Sequence, residues 1–167
     1  MKYEKKSKEY YMYQALLEAK KAKNKLEVPV GCVIVKDNKI IARAHNLVES
    51  KQNVQAHAEM LAMKKASKKL GSWRLENCDL YVTLEPCIMC SGTILNSRIK
   101  RLIYGAFEPK FGAHQSKTNV FSLSLNHKTE VISGILALES NKMLKDFFKT
   151  LRNKKNWKRN WICYNIW

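Results

Sequence analysis

The sequence predicts a three-layer α/β domain, a central sheet of five strands flanked by helices. Three observations carry this reading. Short apolar runs alternate with longer stretches of helical periodicity, turn and helix-ending residues fall at the junctions, and no repeat or linker divides the chain. At 167 residues the chain is about the size of one domain and can bury a core without disulfides.

The elements follow in order. Ser7 is placed to cap a first helix running to about Asn24, in which Tyr10, Tyr13, Leu16 and Leu17 have the i, i+3, i+4 spacing of a buried stripe. The run Val30-Gly31-Cys32-Val33-Ile34-Val35, the turn Asp37-Asn38 and the segment Lys39-Ile40-Ile41-Ala42-Arg43 read as a β-hairpin. A polar loop continues to about Gln55. Residues 57–70 are rich in Ala, Met, Leu and Lys, all good helix formers, and Gly71 stands where a helix C-terminus needs it.

Leu80-Tyr81-Val82-Thr83-Leu84 reads as a strand, Pro86 suits the first position of the next helix, and Arg101-Leu102-Ile103-Tyr104 reads as another strand. The segment 106–128 is irregular. Glu130-Val131-Ile132-Ser133 supplies a fifth strand, and Leu136, Met143, Leu144, Phe147, Phe148 and Leu151 mark a long amphipathic helix.

Bulk properties narrow the class. The start, MKYEKKSKEY, mixes both charge signs and lacks an apolar core, and no stretch approaches the roughly 18 apolar residues of a membrane span. These features predict a cytoplasmic protein with no membrane partner. Five cysteines with one close pair do not resemble the framework of a small secreted protein, and the pair suggests metal or redox chemistry. A net charge of +17 favours an anionic partner such as RNA or DNA. An A+T-biased genome also yields the observed 25 Lys against 6 Arg, so charge alone does not decide.

The chemistry centres on two short motifs, His57-Ala58-Glu59 and Pro86-Cys87-Ile88-Met89-Cys90. Cys87 and Cys90, three apart, share one face of a helix, and Pro86 puts them in its first turn, where the partial positive charge favours thiolates. A lone Cys-x-x-Cys has three readings: a redox pair, half of a structural zinc site, or two ligands of a catalytic one. A Cys₄ site wants a second close pair, yet Cys32, Cys78 and Cys163 stand singly. With His57 as third ligand, the set leaves one tetrahedral position open for chemistry, and zinc there would supply hydroxide near neutral pH.

Glu59 lies two residues beyond His57. In mid-helix the two would point about 200° apart, so they must straddle a helix entrance. From there the carboxylate can act as general base and then general acid. A helical Glu is usually solvated and a single His usually packs. The combination of H-x-E with P-C-x-x-C, a strand between them, is the known signature of zinc deaminases.

The chain resembles the bacterial tRNA-specific adenosine deaminases over about Tyr10 to Arg152. Beyond the metal motif, the likeness rests on Val28-Pro29-Val30-Gly31, Thr83-Leu84-Glu85-Pro86-Cys87, Ser97-Arg98-Ile99, Tyr104-Gly105-Ala106, Gly134-Ile135-Leu136 and Asp146-Phe147-Phe148. The resemblance implies the cytidine-deaminase-like fold, with a mostly five-stranded mixed sheet, in a homodimer binding one zinc per subunit. It implies conversion of the wobble adenosine of an arginine tRNA to inosine. His57, Cys87 and Cys90 would hold zinc, Glu59 would shuttle protons, and Asn46 would hydrogen-bond the extruded adenosine. Val28, Pro29 and the Ala58 backbone would shape the pocket. Lys110, Phe148 and Arg152 match positions that approach the anticodon loop. Two rivals stand beside this reading: a deaminase of free cytosine, guanine or a nucleotide, and a non-catalytic RNA-binding protein stabilised by zinc.

Two loops depart from the family pattern. Asn53-Val54-Gln55 replaces the usual Asp-Pro-Thr, and Gly112-Ala113-His114-Gln115-Ser116 departs from Gly-Ala-Ala-Gly-Ser. Neither removes a catalytic group, and His114 either reaches RNA or faces solvent. The predicted division is a catalytic domain, 1–152, and a basic extension, 153–167. Residues 141–167 hold eight Lys or Arg against one Asp, interleaved with Trp157, Trp161, Tyr164 and Trp167. Such a tail either grips RNA through stacking and phosphate contacts or extends the packed face of the last helix.

Overall fold

A computed structural model describes residues 3–153. The helices are α1 (Lys8–Asn24), α2 (Val48–Lys51), α3 (Ala58–Leu70), α4 (Ile88–Asn96) and α5 (Ala137–Asn153). The strands are β1 (Gly31–Lys36), β2 (Lys39–His45), β3 (Cys78–Leu84), β4 (Arg101–Ala106) and β5 (Glu130–Ile132), in the sheet order β2-β1-β3-β4-β5. β1 pairs antiparallel with both β2 and β3, whereas β3, β4 and β5 run parallel, so the sheet is mixed. Asp37 and Asn38 both adopt positive φ, as the tight turn of the β1–β2 hairpin requires.

Strand alternation builds two cores. Val33, Val35, Tyr81 and Ile103 face α1, while Cys32, Ile34, Leu80, Val82, Leu102 and Tyr104 face α3, α4 and α5. The result is the expected helix–sheet–helix sandwich. Ser7 caps α1 through the backbone N–H of Tyr10 at 3.0 Å, and Gly71 closes α3 with φ 65°, a left-handed cap suited to glycine.

Four local expectations need correction. The buried stripe of α1 is Tyr11, Met12, Ala15, Leu16, Ala19 and Ala22, leaving Tyr10 and Tyr13 half-buried and Leu17 exposed. The reason is close approach: a Cβ on Gly31 would lie 2.0 Å from the carbonyl oxygen of Ala15, so small residues must face β1. The polar loop contains the short helix α2. Pro86 precedes the helix and Cys87 is its N-cap, so α4 begins at Ile88, two positions later than expected. Leu136 stands before α5 with φ 53°, outside the helix it was expected to open.

Candidate active site

Two helix entrances meet at the end of β3. His57 is the N-cap of α3 and Cys87 the N-cap of α4; neither side chain caps its own helix, so both are left to face one another. Glu59 and Cys90 follow within the first turns. The predicted straddling of a helix entrance by His57 and Glu59 is therefore observed, and both helices aim their partial positive ends at the same point.

The Sγ atoms of Cys87 and Cys90 stand 3.8 and 3.5 Å from His57 Nδ1, and all three donor atoms lie within 4.8 Å of one another. Bonds of about 2.3 Å to sulfur and 2.0–2.1 Å to nitrogen, at tetrahedral angles, require N···S separations of ~3.6 Å. The donor set therefore fits zinc in both chemistry and spacing. At Cys87 the thiolate is favoured: this thiol is held down at about 4, chiefly by the hydrogen bond from Cys90. Cys90 is correspondingly pushed up by that bond and by burial. The hydrogen bond with Cys87 raises His57.

Glu59 is 4% exposed, and burial pushes its carboxyl above the usual range, against the opposing influence of His57. A buried carboxylate beside the His57, Cys87 and Cys90 group is placed to exchange protons with whatever occupies the cavity.

Above this group opens a cavity of about 370 Å³. Val28, Asn46, His57, Glu59, Cys87 and Phe148 line it, as do Val48, Val54, Phe111 and Leu144, none of which the sequence marked as a site residue. Pro29 and Ala58 are buried behind the wall rather than part of the lining. Phe148 packs in the core with Leu144 and Phe147 and also lines the cavity. Lys110 is half-buried beside the exposed Phe111, and Arg152 is exposed near the end of α5. Neither reaches the cavity lining.

Two buried carboxylates support the walls. Glu85 accepts from the backbone N–H groups of Glu108, His114, Gln115 and Ser116 and from the Ser116 hydroxyl, and so ties the 108–116 loop to the strand end beside Cys87. A Cβ on Gly112 would lie 2.5 Å from the Glu85 carboxyl carbon, so that loop passes too close for a side chain. Despite the sequence departures at 112–116, the loop is well anchored, and His114 bonds the Tyr104 hydroxyl at 3.0 Å. Glu27 plays a comparable part behind Asn46. Nothing in a local pattern separates such residues from surface acids; only their partners, distant in sequence, reveal them.

The MafB19-like deaminase family matches residues 6–152. The chain is 51% identical over 148 residues to the tRNA-specific adenosine deaminase of Bacillus subtilis (strain 168), covering 88% of this chain and 92% of that protein. It is 48% identical over 147 residues to that of Aquifex aeolicus (strain VF5), covering 87% and 97%. A structure from a study of A-to-I editing by tRNA:A34 deaminases at the wobble position of transfer RNA superposes with a TM-score of 0.79 at 44% identity, covering 81% of this chain and 99% of that one. Guanine deaminase from Bacillus subtilis reaches a TM-score of 0.59 at 40% identity, over 60% of this chain and 65% of that one. The chain belongs to the tRNA-specific adenosine deaminases, a family of hydrolytic deaminases with the cytidine-deaminase-like fold.

Proposed function

We propose that the protein converts adenosine to inosine at the wobble position of a tRNA anticodon, that of an arginine tRNA, in the cytoplasm. The observation that carries this is the meeting of His57, Cys87 and Cys90 beside buried Glu59 beneath an open cavity. His57, Cys87 and Cys90 hold one zinc per subunit, which when bound supplies hydroxide near neutral pH.

The chain's own residues do the rest. Glu59 takes a proton from the attacking water and passes it to N1 of the ring as oxygen adds to C6. It then takes the second proton, from the new C6 hydroxyl, and gives it to the amine as the C6–N6 bond breaks, leaving the C6 carbonyl of inosine and ammonia. Asn46 offers a donor and an acceptor to the substrate, and Val28 and Phe148 give it apolar walls. Pro29 and Ala58 set the shape of those walls from behind. An anticodon loop suits such a pocket, because an unpaired base leaves its stack at less cost than a paired one. Lys110 and Arg152 meet the loop's phosphates. Residues 1–152 form the catalytic unit, 153–167 a basic extension, and two copies pair as a homodimer.

Incubation with arginine tRNA, and separately with free guanine, cytosine and their nucleosides, tests the reading. Inosine at the wobble position is expected. Consumption of a free base with no inosine in the tRNA would establish the rival that the guanine deaminase likeness keeps open.

A further inference from the structure

Glu27 is fully buried and does not line the cavity, but the residue it holds does. Its Oε2 accepts from Asn46 Nδ2 and from the backbone N–H of Glu49, both at 3.2 Å. Its Oε1 accepts from the backbone N–H and the hydroxyl of Ser50, both at 2.6 Å. The Glu49 and Ser50 amides belong to the first turn of α2, whose N-cap residue Leu47 makes no side-chain cap bond. Glu27 thus supplies that cap from outside the helix.

A buried carboxylate is costly unless every oxygen is matched by donors, and here each is matched. The choice of an acid has a consequence for its neighbour. Backbone N–H groups cannot accept, so both Glu27 oxygens serve as acceptors, and only the NH₂ end of the Asn46 amide can face them. A flipped Asn46 would set its Oδ1 against Oε2, acceptor to acceptor. One Nδ2 hydrogen is spent on Glu27; the other hydrogen and Oδ1 remain for the cavity.

We propose that Glu27 is a positioning residue for the reaction: it fixes the order in which Asn46 presents donor and acceptor to the base or ribose of the substrate. The proposal rests on the deaminase reading of the cavity. It makes substrate recognition depend on a carboxylate that never touches substrate. It also joins the pocket to α2, since one side chain sets both Asn46 and the start of that helix.

The test is a double-variant cycle on the full-length zinc-loaded protein with tRNA. Glu27→Gln can offer its own NH₂ to Asn46 and so releases the constraint. It is expected to raise KM about 10-fold or more. Turnover at saturation should stay within about threefold, with zinc content unchanged. In an Asn46→Ala background the same change should add nothing, because the residue through which it acts is gone. Ser50→Ala, which disturbs only the α2 contact, should leave KM unchanged.

Additive effects of Glu27→Gln and Asn46→Ala, or a KM rise in Ser50→Ala equal to that in Glu27→Gln, would overturn the proposal. Should Glu27→Gln fail to fold, the wild-type Asn46 side-chain amide, assigned by its loss in Asn46→Ala, decides the matter by NMR. One proton shifted downfield by the carboxylate supports the contact; two protons at free-amide positions refute it. Wild-type protein that leaves tRNA unmodified counts against the deaminase reading itself, while the amide signal still reports on Glu27.

Discussion

Cys90 Sγ lies 3.5 Å from His57 Nδ1, although the two residues are 33 positions apart and enter from different helices. This spacing is set by the packing of α3 and α4 on β3. Cys90→Ser or His57→Ala should therefore lose stoichiometric zinc without unfolding the sheet. Because zinc binds the folded form, either variant should melt at least about 5 °C lower than the zinc-loaded wild type. Metal analysis and calorimetry check both halves.

Glu59→Gln keeps the size and burial of the side chain but cannot take a proton from water. Zinc content and tRNA affinity should be retained while turnover falls roughly 10²–10⁴-fold. Single-turnover inosine formation is the measurement. Near-normal turnover would remove Glu59 from the mechanism.

Glu85→Ala would strip the 108–116 loop of its acceptor and leave the N–H groups of Glu108, His114, Gln115 and Ser116 without this partner. A loss of at least about 2 kcal/mol is expected, read by urea unfolding. Hydrogen exchange should show the loosening concentrated in residues 108–116.

Glu18 gives a pH signature away from the active site. Burial alone would raise its carboxyl, but hydrogen bonds from Lys21 at 2.7 Å and His45 at 3.1 Å outweigh burial and hold it below the usual range. A carboxyl depressed in the folded state contributes stability above its unfolded value, and that contribution fades as pH falls through the folded value. Glu18→Gln should therefore be about 1 kcal/mol less stable than wild type near pH 6. The gap should close in acid below about pH 4. Unfolding midpoints at the two pH values test the sign.

Deletion of residues 154–167 removes Lys154, Lys155, Lys158 and Arg159. If these meet phosphate, tRNA binding weakens and its logarithmic salt dependence flattens by about 0.7 for each phosphate that is no longer neutralised. An unchanged slope would assign the tail to packing. These residues, with Trp157 and Trp161, lie outside those the structure describes.

Much of this architecture was legible in the sequence because its signals are local. The Ser7 cap, the Asp37-Asn38 turn, the Gly71 stop and the apolar strands each declare themselves within a few residues. His57, Glu59, Cys87 and Cys90 were legible because metal spacing is stereotyped. The α1 stripe was misread because periodicity favours large apolar residues, whereas the close approach at Gly31 demands alanines. Glu27 and Glu85 were missed because their roles are fixed by partners more than 15 residues away, to which local pattern is blind.

The loop that Glu85 holds divides the rim of the cavity into two kinds of position. Its backbone is tethered at several points, yet Phe111 within it is 64% exposed, and Val54, which also lines the cavity, is 69% exposed. For anyone reshaping the enzyme toward other nucleic acids, the rim is thus a rigid frame with exchangeable panels. Residues 85, 112 and 116 belong to the frame, and positions 54 and 111 are where new side chains can be tried without loosening it.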